Sequence, residues 1–71
     1  MERYANLRGN SPITYYEIEP LRIIVWFGSK SYSYSYASAG RSNVEMMKEL
    51  AMDGSGLSAF ITRNVRFDYD K

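Results

Sequence analysis

From Ile13 to Tyr36 the chain is patterned with a period close to two, the spacing at which successive side chains of a strand point to opposite faces. "ITYYEIE", Ile13 to Glu19, is rich in β-branched and aromatic residues and stops at Pro20, which predicts a first strand ended by a residue without an amide proton. "LRIIVWF", Leu21 to Phe27, predicts a second. Gly28 and Ser29 separate it from "KSYSYSY", and Gly at the first central position of a two-residue loop is what a type II′ hairpin requires. Such a loop sets Phe27 opposite Lys30, and then Val25 opposite Tyr32, Ile23 opposite Tyr34 and Leu21 opposite Tyr36. Opposed residues share a face. One face therefore carries Leu21, Ile23, Val25, Phe27 and three tyrosines, the other Arg22, Ile24, Trp26, Ser31, Ser33 and Ser35.

Beyond Tyr36 the period changes. "ASAG" breaks the alternation, and Ser42 three residues before Glu45 has the order of a capping box, predicting a helix start there. Val44, Met47, Leu50 and Ala51 make an apolar stripe, with Glu45, Lys48 and Glu49 for the wet side, and Gly54 suits a left-handed helix end. Leu57, Phe60, Ile61 and Asn64 predict a short second helix. "VRFDY" returns to alternation, with Val65, Phe67 and Tyr69 on one side, and allows a fourth, edge strand. The expected fold is α+β: a three-stranded antiparallel sheet, extended by that edge strand if it forms, with one main helix and a short second helix packed on the tyrosine face. Residues 1–10 are expected to be a flexible N-terminal segment and residues 11–71 a single domain.

With 71 residues there is room for one core, because a domain of this size buries only about 60% of the surface its unfolded chain exposes. Aromatic residues, 15% of the chain, must supply much of that burial. The absence of cysteine excludes a disulfide-stapled scaffold and suits a reducing compartment, so the expected location is cytoplasmic. The longest apolar run, Ile23 to Phe27, falls far short of the roughly 20 residues that cross a bilayer, and "MERYANLRGN" has no apolar signal-peptide region. No membrane partner is expected. Nine basic residues against eight acidic ones give a net charge of +1, so attraction to nucleic acid would need a local basic patch.

The element order and the residues that carry it resemble the KTSC domain, a family named for its occurrence at the C-terminus of some lysyl-tRNA synthetases and also found as free-standing bacterial proteins. Its pattern runs from a Ser with Ile two residues later, through a strand of the form L-x-V-x-F, a glycine hairpin, a central Y-x-Y and a helix ending near A-x-x-G, to a closing I-R-x-x-Y. Here Ser11 and Ile13, then Ile23, Val25 and Phe27, then Gly28, then Tyr32, Tyr34 and Tyr36, then Ala51 and Gly54, then Val65, Arg66 and Tyr69 occupy those places. The hairpin loop is shorter than usual, "ASAGRSN" replaces a typical Val-Pro, and an expected aromatic-Asn pair reads "LSAFI". The resemblance is thus to a divergent, free-standing member. It implies a hairpin-rich sheet with helices on one face and little about activity, with RNA as a ligand suggested by the synthetase context.

Two readings of the tyrosines follow. Tyr32, Tyr34 and Tyr36 stack bases, with Arg22, Lys30, Arg63 and Arg66 holding phosphates, or the rings lie under the helices as core. Because the tyrosine face is also the aliphatic face, and a domain this small cannot leave its best apolar surface exposed, the family-motif aromatics Tyr32, Tyr34, Tyr36 and Tyr69 are read as mostly core. Trp26 then points the other way, beside Arg22. It is a stacking surface, worth about 1 to 3 kcal/mol per base, or the centre of a homodimer interface, or is covered by the N-terminal segment through Tyr4 and Leu7. A sheet edge is the other route to self-association. The nucleic-acid-binding candidates are accordingly Arg22, Trp26, Lys30, Arg63 and Arg66.

For catalysis the expectation is negative. Without His or Cys the chain lacks the usual general base near neutral pH, the usual thiol nucleophile and the usual zinc ligands, so no catalytic residue, metal, cofactor or small-molecule substrate is assigned. Gly54-Ser55-Gly56 is a weak phosphate signal, better explained as a turn between helices. The favoured function is an accessory RNA-binding module, and the alternative is a protein-interaction or self-association module.

Overall fold

The computed structural model describes residues 1–71. Four strands form one antiparallel sheet in sequence order: β1 (Glu2–Arg3), β2 (Ile13–Glu19), β3 (Arg22–Phe27) and β4 (Lys30–Ser35). The β3–β4 hairpin has the expected register, with Phe27 opposite Lys30, Val25 opposite Tyr32 and Ile23 opposite Tyr34. Gly28 carries the positive φ of 64° that the turn needs, while Ser29 does not, as in a type II′ turn. Leu21 and Tyr36 also meet, through the Tyr36 amide donating to the Leu21 carbonyl at 3.0 Å, although Leu21 itself is exposed.

Three helical segments follow: α1 (Tyr36–Ala39), α2 (Arg41–Asp53) and α3 (Leu57–Phe60), the last running on into a π-helical stretch, Ile61–Val65. The capping box lies earlier than predicted. Ser35, not Ser42, closes it: its side chain accepts from the Ser38 amide, and the Ser38 hydroxyl accepts from the Ser35 amide, both at 3.1 Å. Tyr36 therefore leaves the strand and opens α1, and α2 begins after Gly40 without a side-chain cap. The expected stripe of α2 is present, with Val44, Met47 and Ala51 buried, and Gly54 closes the helix in the left-handed conformation.

The fourth strand is at the other end of the chain from the predicted one. Val65 belongs to the π-helical stretch and is buried in it, Phe67 is exposed, and no ladder forms over Val65 to Tyr69. The closing segment makes a single backbone bond to β4, from the Asp70 amide to the Ser33 carbonyl at 2.7 Å. Instead Glu2 and Arg3 pair with Tyr16 and Tyr15. Tyr4 follows into the core, 3% exposed, with its hydroxyl accepting from the Leu57 amide.

The core lies between the sheet and the helices: Ile13, Ile23, Val25 and Tyr34 from the strands, Val44, Met47 and Ala51 from α2, Leu57 from α3, and Ile61 and Val65 from the π-helical stretch. Tyr16, Phe27, Tyr32, Tyr36 and Tyr69 border it. Tyr32 and Tyr69 are tilted rings with centroids 4.9 Å apart, and Tyr34 meets Tyr69 edge-on at 6.4 Å. A small domain gains here in two ways, from the area of these rings and from pairwise contacts worth about 0.5 to 1.5 kcal/mol each. No helix is long and apolar enough to cross a membrane.

Candidate binding face

All the helices pack on one side of the sheet, so the opposite side is left to solvent. What it displays follows from register, with one irregularity at Thr14. Ile13 pairs with Phe27 but Tyr15 pairs with Trp26, so β2 carries one extra residue at this point, a β-bulge. The Thr14 hydroxyl holds the bulge by donating to the Gly28 carbonyl at 2.9 Å. Strict alternation would send Ile13 and Tyr15 to the same face. The bulge separates them: Ile13 and Tyr16 face the core, and Tyr15 turns outward.

Three rows then cross the open face. Arg3, Tyr15, Trp26 and Ser31 form the first, Glu17, Ile24 and Ser33 the second, Glu19, Arg22 and Ser35 the third. Tyr15 is exposed, Trp26 and Ile24 are half-buried, and serines of small volume flank them on β4. The N-terminal segment does not cover the face. Beyond β1 it crosses to the helix side, where Tyr4 is buried and the Leu7 amide donates to the Gly54 carbonyl at 2.8 Å, leaving the Leu7 side chain exposed.

Electrostatically the face is not basic. Two guanidiniums, Arg3 and Arg22, and the Met1 ammonium, 3.4 Å from Glu17, stand among three carboxylates, Glu17, Glu19 and Asp70. The Arg22 Nε donates to Glu19 at 2.6 Å, which holds the Glu19 carboxyl below its ordinary range and raises Arg22. Asp70 accepts from the Ser35 hydroxyl at 2.8 Å and from the Ser33 hydroxyl at 3.0 Å. The Ser35 bond first, and the Ser33 bond with it, lower its pKa, so this carboxylate stays charged near neutral pH.

The five nucleic-acid candidates do not converge. Arg22 and Trp26 lie on the open face; Lys30, opposite Phe27 at the hairpin end, has the parity of the core face and is exposed. Arg63 and Arg66 belong to the segment behind α3 on the helix side, with the Arg66 guanidinium 5.4 Å from the centroid of Phe67. Of the motif aromatics, Tyr34 is buried, and Tyr32, Tyr36 and Tyr69 are half-buried around it. Burial pushes the Tyr34 hydroxyl up to about 12. Sequence reading missed Tyr15 and Asp70. The doubled aromatic Tyr15-Tyr16 was the available signal, since adjacent strand residues cannot both enter one core.

Against protein-family models, curated proteins and solved structures, the chain returns no match.

Proposed function

We propose that this chain is a non-enzymatic binding module that uses the open face of its sheet to hold a short polypeptide segment. The observation that carries this reading is the Tyr15–Trp26 cross-strand pair, with Ile24 beside it, on a face that no helix covers. Size limits the occupant. With 21 strand residues at about 3.3 Å each and neighbouring strands about 4.8 Å apart, the face spans roughly 330 Å², less than half of what each partner gives to a standard interface. An extended segment suits it better than a second folded surface. Charge is balanced: Glu17 is paired with the Met1 ammonium and Glu19 with Arg22, so the face offers no excess of cations to a phosphate backbone, and an amphipathic, partly apolar peptide suits the aromatic pair better.

A second reading has its own observation in favour. Two aromatic rings presented side by side on neighbouring strands are a stacking platform for single-stranded RNA, the ligand that the KTSC resemblance implies. Membership of that family, through Ser11, Ile13, Val25, Phe27, Tyr32, Tyr34 and Tyr69, and a cytoplasmic location, from the lack of cysteine, are part of the proposal. One labelled sample separates the readings. Amide NMR titrations with a pool of short amphipathic peptides and with a pool of short single-stranded RNAs are run at low and raised salt. Shifts at Tyr15, Ile24, Trp26 and Ser33 with peptides alone support the proposal. The same shifts with RNA, fading steeply as salt rises, replace it by the second reading.

A further inference from the structure

The geometry points to a second site, unrelated to the open face: a pocket for a small oxyanion, of phosphate or carboxylate type, between the segment 4–11 and the turn that joins α2 to α3. A hollow of about 280 Å³ lies there, lined among others by Tyr4, Arg8, Asn10, Ser55, Gly56 and Ser58, and no Asp or Glu lines it. Arg8 is exposed and lies within 4.0 Å of no carboxylate, whereas Arg22 and Lys48 are both paired. Its charge is available to a ligand.

The remaining groups are mostly donors. Tyr4 is 3% exposed, and its hydroxyl oxygen accepts from the Leu57 amide at 3.4 Å while its own proton has no acceptor within the chain. The Ser55 and Gly56 amides likewise donate to nothing within the chain, and the Ser55 and Ser58 hydroxyls are free to rotate toward an acceptor. An arginine and several neutral donors lining one hollow, with no competing carboxylate, is the chemistry that recognises an oxyanion, because charge-assisted bonds are roughly twice as strong as neutral ones.

The walls are also fixed in advance. Asn6 takes a positive φ of 52°, and its amide group both donates to the Ser11 carbonyl and accepts from the Ser11 amide, each at 3.1 Å. This clamp closes the loop that carries Arg8 and Asn10. The bond from Leu7 to Gly54 ties the loop to the opposite wall. Little ordering is then required when the ligand enters.

The test is a titration of the labelled full chain with inorganic phosphate and, separately, with acetate, at constant ionic strength with chloride as the exchanged anion. The expected result is saturable shifts at Asn10, Ser55, Gly56 and Ser58, weakened about tenfold or more by Arg8→Gln. Arg8 is exposed, so this variant folds. Tyr4→Phe keeps the ring, removes the free proton, and weakens binding as well. Saturation by phosphate alone assigns a phosphoryl ligand, and saturation by acetate a carboxylate. Absence of saturable shifts beyond the chloride control, or unchanged affinity in Arg8→Gln, overturns the site.

Discussion

At the scale of single residues, three positions carry measurable consequences. Gly54 has φ of 81°, and a Cβ built there would stand 2.7 Å from the Ala5 Cβ, so this glycine both ends α2 and lets the N-terminal segment pass. Gly54→Ala therefore meets two costs, about 1 to 2 kcal/mol for the left-handed backbone and a further term for displacing residues 5–7. Urea unfolding should show a loss of roughly 2 to 4 kcal/mol in total. Tyr34 offers a pH handle. Its folded pKa of about 12 lies above the ordinary 10.0, so its contribution is complete below pH 10 and is lost as pH rises toward 12. Unfolding measured across that window should show a decline on the order of 2 kcal/mol, and Tyr34→Phe should flatten it. Asp70 has the opposite sign. Its depressed pKa means that the anchoring of the closing segment is present above the ordinary value of 3.8 and is lost as pH falls through the lower folded value. The Ser33 and Ser35 resonances should report that release, with a midpoint below 3.8; a midpoint at or above 3.8 would remove the anchor from the account.

At the scale of elements, the hairpin was fully legible, because a two-residue glycine turn admits one register and the register assigns every face. Helix α2 was legible in its stripe and its glycine end, but the short α1 before it was not, since Ser35 and Ser38 make a cap that lacks the acidic third residue of the usual motif. Two features were hidden for a different reason. The bulge at Thr14 is a tertiary compromise between a hydroxyl and the hairpin turn, and β1 is too short to show a period, its anchor being a single tyrosine in a polar segment. Tyr15 was consequently absent from the candidate site, and Tyr4 from the expected core. The weight of that hidden strand can be measured. Tyr4→Ala empties a buried ring site and frees the Leu57 amide, and should cost about 3 to 5 kcal/mol by the usual scale of aromatic truncation. Ser35→Ala should cost about 1 kcal/mol through the lost cap and also release Asp70, so its amide pattern at Ser33 should resemble that of Asp70→Asn.

At the scale of the whole molecule, the arrangement is one layer of sheet and one of helix, with all the deep burial on the side where they meet. A second layer on the open face would have to come from elsewhere, and its most available source is another copy of the chain. Area argues against a stable pair. Roughly 330 Å² per partner yields a total near 660 Å², well below the roughly 1,200 Å² at which specific complexes begin. Edge pairing is restrained as well. Strand β4 presents outward backbone groups at Ser31, Ser33 and Ser35, yet Asp70 occupies the Ser33 carbonyl and the Ser38 hydroxyl occupies the Ser35 amide. The expected state in solution is therefore a monomer at tens of micromolar protein. Its Cα radius of gyration is 10.6 Å, and sedimentation velocity combined with small-angle scattering would detect a departure from that size. A dimer that persists after dilution, and that Trp26→Ala but not Asp70→Asn dissociates, would assign the open face to self-association and displace the peptide reading. A dimer that appears only in Asp70→Asn would instead place the contact at β4, with the closing segment as the element that holds it back.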